Sequence, residues 1–174
     1  MEIWDVLDSD GNLIQKTISS EDETALGEGM YHLGADVWII NSENKILIQK
    51  RSKKKKNQPG VWAMTGGSVI KGETSLEAIK REVKEELGIE LDTDKAIKIK
   101  HYRKGNVWLD EYLVKQNIDL NNVVLQEEEV CEVRFATFNE IENLLQCKQF
   151  ITDRWEYVRN EIKKFIKNKQ SQKR

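Results

Sequence analysis

The sequence predicts an α/β fold in one domain, and three observations carry the prediction. Short runs of β-branched and aromatic residues alternate with helix-like patterns along the chain. Near the middle, the pair Gly66-Gly67 precedes an amphipathic stretch with Leu76, Ile79, Val83 and Leu87 at three- and four-residue steps, a single apolar stripe. The chain's 174 residues, 39% hydrophobic and 33% charged, suit one globular unit able to build a core without disulfides.

In order, Ile3–Leu7 and Asn12–Ile18 read as two strands about the turn Asp8-Ser9-Asp10-Gly11. With the acidic connector Ser19–Gly29 they form an N-terminal segment, residues 1–29, expected to pack on the main domain, 30–170. Ala35–Ile40 and Ile46–Ile48 are apolar strands joined by Asn41–Lys45. Ser52–Gly60 holds four consecutive lysines and the one proline, so it is a loop, either a solvated basic run or a rim that draws in phosphorylated ligands. Val61–Thr65 leads into a glycine-rich loop at Gly66-Gly67. Thr74 or Ser75 caps the helix that follows, and Gly88 stops it. Ala96–Tyr102 and Val107–Lys115 are strands about Arg103–Asn106, with Asp110 and Glu111 just before Tyr112. A further strand is expected over Val133–Phe138. The capping box Thr137-Phe138-Asn139-Glu140 opens a short helix. Thr152–Asn168 is a second helix, with Ile151, Trp155, Val158, Ile162 and Phe165 on its buried face, and a basic tail follows at 171–174.

Composition excludes several classes. A net charge of −2 gives no electrostatic basis for binding a nucleic-acid polymer. No apolar stretch is long enough to span a bilayer, and Met1–Asp5 has no signal-peptide pattern, so no membrane is involved. Cys131 and Cys147 have no metal-type spacing and are expected as small buried thiols. A reduced cytoplasmic setting follows. His32 reads as a hydrogen-bonded strand-end residue and His101 as an ordinary strand residue. Tyr31, Trp38, Trp62 and Trp108 read as core aromatics before base-stacking platforms.

The acidic residues of the central helix are harder to explain by folding. At about 100° per residue, Glu82, Glu85 and Glu86 share an arc of roughly 100° beside the apolar stripe. Glu77 points elsewhere, toward water. Like charges at these spacings each cost a few tenths of a kcal/mol. A hard divalent cation bound by oxygen ligands would offset that cost.

Gly67, Glu73 and Arg81-Glu82-Val83-Lys84-Glu85-Glu86-Leu87-Gly88-Ile89 match every fixed position of the pattern G-x5-E-x7-R-E-U-x-E-E-x-G-U, where U is aliphatic. This is the Nudix box, and the chain resembles that family from about residue 30 to 145. The resemblance implies an α/β/α sandwich with a mixed sheet. It also implies a Nudix hydrolase that splits a nucleoside diphosphate linked to another moiety, or another nucleotide, with Mg²⁺ or Mn²⁺. By motif position, Glu82, Glu85 and Glu86 would hold metal, with the Gly67 carbonyl as a further ligand. Glu73 would hold Arg81 and so orient the helix, or contact the metal through water. The catalytic base would be a box glutamate such as Glu85, or Glu128 or Glu129 from the second acidic cluster, Gln126–Val130. Arg51 would face the phosphates, and Gly66 and Gly67 would let the backbone approach them. Homodimers are common in the family.

Two other classes compete. Some Nudix-fold domains sense nucleotides without hydrolysing them, but such domains usually lose box glutamates, and all are present here. Residues 31–35 and 49–52 also resemble isopentenyl diphosphate isomerase. That enzyme needs a cysteine and a histidine where this chain has Gly66-Gly67-Ser68-Val69.

Overall fold

A tight turn sets the first element. In the computed structural model, which describes residues 1–171 apart from the side chains of Glu23, Thr152, Asp153 and 168–171, strands β1 (Ile3–Leu7) and β2 (Leu13–Ser19) pair antiparallel. The Asp8 carboxylate accepts the backbone N–H groups of Asp10 and Asn12, while Gly11 takes φ +82°, a left-handed value that glycine adopts without strain. Residues 172–174 of the expected basic tail lie outside the described residues.

The central sheet has seven strands and is mixed. Strand β3 (His32–Ile40) meets β4 (Ile46–Arg51) at Ile40 and Ile46. β4 pairs with the short β5 (Trp62–Ala63), and β6 (Thr65–Ser68) returns antiparallel along the first half of β3. Helix α1 (Ser75–Leu87) then crosses to β7 (Ile97–Lys104) and β8 (Val107–Lys115). β8 lies parallel to β3 along its whole length, and β7 is the outer partner of β8. Strand β9 (Val130–Ala136) runs antiparallel to β4, followed by α2 (Phe138–Gln146) and α3 (Thr152–Ser171).

Alternation along β3 decides the layers. Ala35, Val37 and Ile39 face one core with Ala78, Ile79, Val83 and Leu87 of α1. Trp38 and Ile40 face another with Ile141 of α2 and Trp155, Val158 and Ile162 of α3. Helices therefore cover both faces, as expected for an α/β/α sandwich. The hairpin buries Trp4, Val6 and Ile18 in a third, smaller cluster that reaches Ile70. Among the described residues, no helix is long and apolar enough to cross a membrane.

Local chemistry fixes the ends of α1. Thr74 accepts from the Glu77 N–H, the Glu77 carboxylate accepts from the Thr74 N–H, and Gly88 closes the helix at φ +69°. Glu77 thus does more than face water; it completes the capping box.

Several expectations change. Gly66 and Gly67 are not a loop but lie in β6, opposite Asp36 and Ala35 of β3. Neither has positive φ, so glycine is required there by close approach. A Cβ on Gly66 would lie 2.6 Å from the Ala35 carbonyl oxygen. Strand β9 starts at Val130 and ends at Ala136, because Thr137 leaves the ladder to cap α2. Both cysteines are exposed rather than buried. Val130 turns inward, so alternation turns Cys131 outward, and Cys147 sits at the C-cap of α2.

Ile79 is fully buried between α1 and the sheet. Ile79→Ala should cost about 3 kcal/mol through lost burial and a residual cavity. Urea unfolding should show a lower midpoint at unchanged slope.

Candidate active site

Burial of the α1 stripe turns the neighbouring face of the helix toward β6 and the loop before the helix. Arg81 is the organising cation. Its Nε and Nη2 donate to the two Glu73 oxygens at 2.9 and 3.1 Å, Nη2 also donates to the Ser68 carbonyl at 3.0 Å, and Nη1 donates to Glu82 at 2.7 Å. A longer contact of 3.3 Å reaches Glu85, whose side chain is 53% exposed. Glu73 therefore holds Arg81, and through it the start of α1 is tied to the end of β6.

Glu86 is buried and accepts from the Gln49 amide at 2.6 Å. Thr65 donates to the other end of that amide at 2.8 Å and so fixes its orientation. Burial pushes Glu86 up to about 7, and the charges of Glu82 and Glu129 add to the rise while Gln49 and Lys55 oppose it. Burial also raises Glu82, against the pull of Arg81. A Cβ on Gly67 would lie 2.2 Å from a Glu82 oxygen, so β6 presses against this carboxylate.

Among the described residues, no three His, Cys, Asp or Glu side chains converge closely enough to hold a metal ion. Electrostatics explains the spread: three like charges on one ridge separate and take different partners, Glu82 and Glu85 on Arg81 and Glu86 on Gln49. The donor set still fits a hard divalent cation. Its oxygens share one helix face, two of the three carboxylates are desolvated, and each desolvated group is raised by the charge of a neighbouring carboxylate, a cost that a cation would offset.

The second acidic cluster lies beside this ridge. Lys54 donates to Glu128 at 2.6 Å, Lys55 pairs with Glu129, and the Ser52 N–H donates to the Glu129 carbonyl at 2.8 Å. The lysine loop is thus tied down at three points rather than simply solvated. Glu129 is near enough to act on Glu86, whereas the Glu128 side chain is 70% exposed.

A cavity of about 380 Å³ opens beside the ridge. Gly66, Gly67 and Arg51 line it together. Arg51 spends Nε and Nη2 on the Asn57 carbonyl, at 3.2 and 3.1 Å. Four residues not anticipated from the sequence complete the region: Gln49, Asp36, Glu111 and Arg154. Asp36 and Arg154 both left a signal, an acid inside the apolar run Ala35–Ile40 and an arginine four residues before the buried Val158. Arg154 of α3 donates Nε to Asp36 at 2.8 Å. Beneath them, the buried Glu111 accepts from the Trp38 indole and the Tyr102 hydroxyl, each at 2.8 Å. Burial, and then the Asp36 charge, push Glu111 up to about 8.

Both histidines differ from expectation. His32 lines the cavity and stacks on Trp4 at 4.3 Å, but its buried Nδ1 has no hydrogen-bond partner. Burial, reinforced by Arg154, lowers it to about 4, so the ring is neutral at pH 7. His101 bonds Asp110 through Nδ1 at 2.7 Å and stacks on Trp108. Asp110 also accepts from Ser75 and Lys98, a satisfied structural network at the base of α1. Trp38 and Trp62 are core residues, as expected.

Comparison with known proteins gives a consistent placement. A family model described as the NUDIX domain matches residues 30–160. An uncharacterized Nudix hydrolase of Listeria innocua serovar 6a is 40% identical over 154 residues, covering 87% of this chain and 89% of that protein. The crystal structure of DR0079 from Deinococcus radiodurans superposes with a TM-score of 0.76 at 20% identity, over 91% of this chain and 98% of that one. A bifunctional NMN adenylyltransferase/ADP ribose pyrophosphatase from Francisella tularensis, solved with AMP and a manganese ion, superposes at 0.57 and 21% identity, over 76% of this chain and 42% of that one.

The buried carboxyl pair gives a pH signature. Glu111, raised from 4.5 to about 8, holds more protons folded than unfolded between those values. Stability should therefore fall as the pH rises from about 4.5 to about 8. Calorimetric melting should drop by several degrees across that window, with Glu86, raised to about 7, contributing in the same direction, and Glu111→Gln should make the drop shallower. Equal slopes in the two proteins would count against the assignment.

Proposed function

The chain belongs to the NUDIX family and is a Nudix pyrophosphohydrolase, and on that premise we propose that it hydrolyses the pyrophosphate linkage of a nucleoside diphosphate derivative or nucleotide with Mg²⁺ or Mn²⁺ bound. The observation that carries this reading is the pair of desolvated carboxylates, Glu82 and Glu86, on a ridge that meets the cavity at Gly67. Glu82, Glu85, Glu86 and the Gly67 carbonyl would hold the cation. A cation held there would supply charge neutralisation for phosphate oxygens and a lowered pKa for the attacking water.

The chain's own groups do the rest. Glu73 and Arg81 lock the ridge to the end of β6, whose Gly66, Gly67 and Ser68 line the cavity. Arg51 offers its guanidinium to a phosphate at the cavity mouth. Glu85 and Glu129 are the candidates for taking the proton of the attacking water, one exposed on the ridge and the other beside Glu86. Glu128, more exposed and paired with Lys54, is less well placed. We place the enzyme in the cytoplasm, where two exposed free thiols remain reduced.

Glu85→Gln and Glu86→Gln should each lower turnover by about a hundredfold or more while melting stays within a few degrees of wild type. A nucleotide panel with Mg²⁺ and Mn²⁺, read as phosphate-containing product, measures this. Wild-type turnover in both variants would remove these residues from metal binding. Tight nucleotide binding without product would indicate a sensor, and isomerisation of isopentenyl diphosphate without hydrolysis would indicate the isomerase.

A further inference from the structure

Arg154 is used incompletely by the protein itself. Arg81, another arginine tied to half-buried acids near the cavity, spends Nε, Nη1 and Nη2 on protein acceptors. Arg154 spends Nε alone, on Asp36, and its Nη1 and Nη2 have no acceptor among the described residues. Asp36 is buried, and that burial raises it, so keeping it ionised costs stability. A pair serving stability alone would gain from a bidentate grip. Instead one carboxylate sits between the guanidinium and the glycine strand: a Cβ on Gly66 would lie 2.0 Å from Asp36 Oδ1, and Oδ2 takes the Arg154 bond. Asp36 thus holds the Arg154 side chain at the cavity wall formed by Gly66, with five-donor geometry only partly used.

The cavity's chemistry selects the ligand class. Among the described residues it is lined by two guanidinium groups, Arg51 and Arg154, and by one carboxylate, Asp36, which is already paired. The other polar lining groups include Gln49, Asn57 and Gln58. Among the described residues, no Trp, Tyr or Phe lines it, so they offer no broad aromatic platform for a nucleobase. His32, the one ring present, is neutral and has a face covered by Trp4.

We propose that Arg154 is a specificity-determining residue that grips, together with Arg51, a phosphoryl group of the substrate inside this cavity, so that the enzyme favours substrates with a terminal phosphoryl group over those ending in a neutral moiety. Asp36 is its positioning residue. The substrate preference rests on the hydrolase reading; the binding step does not, because it requires neither metal nor turnover.

The test uses inorganic tripolyphosphate titrated calorimetrically into the full chain in excess EDTA. Wild type should bind it. Arg154→Lys keeps a charge opposite Asp36 but loses the planar fork, and should weaken binding about tenfold or more. The double variant Asp36→Asn with Arg154→Met removes both charges together, which avoids leaving a buried ion unpaired; it should melt near wild type and lose the Arg154-dependent binding. With Mg²⁺ present, Arg154→Lys should reduce the kcat/KM ratio of a nucleoside triphosphate over a nucleoside diphosphate sugar by about tenfold, through KM. No tripolyphosphate binding by wild type overturns the proposal, as does unchanged affinity in the folded variants. Arg154-dependent binding in a protein that hydrolyses nothing would refute the hydrolase reading and leave this site standing.

Discussion

The structure depends on how closely two backbones and one helix meet at Gly66 and Gly67. β6 lies on β3 with no room for a side chain at Gly66, where a Cβ would enter Asp36 and the Ala35 carbonyl, while a Cβ at Gly67 would displace the end of the Glu82 side chain. The two contacts point to different parts of the site. Through Gly67 the strand meets the acidic ridge of α1, and through Gly66 it meets the carboxylate that holds α3 by Arg154. A single four-residue strand therefore joins both helical layers to one cavity.

Charge is arranged around that contact at a cost to folding. Glu82, Glu86, Asp36 and Glu111 are all buried enough for desolvation to raise them. Folding alone would favour apolar side chains at such places. The protein offsets the cost with fixed partners: Arg81 for Glu82, Gln49 for Glu86, Arg154 for Asp36, and Trp38 with Tyr102 for Glu111. Two of these partners are held in turn, Arg81 by Glu73 and Gln49 by Thr65. The ridge and the cavity wall are thus oriented before any ligand arrives, which is what a phosphate-processing site needs.

Much of this was legible in advance. Strand and helix identities followed from periodicity, and the ends of α1 followed from Thr74 and Gly88. The nine fixed positions from Gly67 to Ile89 identified the family and the acidic ridge. What stayed hidden involved partners distant in sequence. Gln49 meets Glu86 across 37 positions and Arg154 meets Asp36 across 118, and no local pattern encodes either pairing. The exposure of Cys131 also escaped notice, since it turns on the register at which β9 enters the sheet.

By itself, the sequence determined which residues form each element and that three carboxylates share one helical face, because both follow from spacing along a regular backbone. Only the tertiary structure decided which of those carboxylates is buried, which acids and bases meet, and that two arginines from β4 and α3 share a cavity with the glycine strand. Those outcomes depend on desolvation and distance, which exist only once separate segments have packed together.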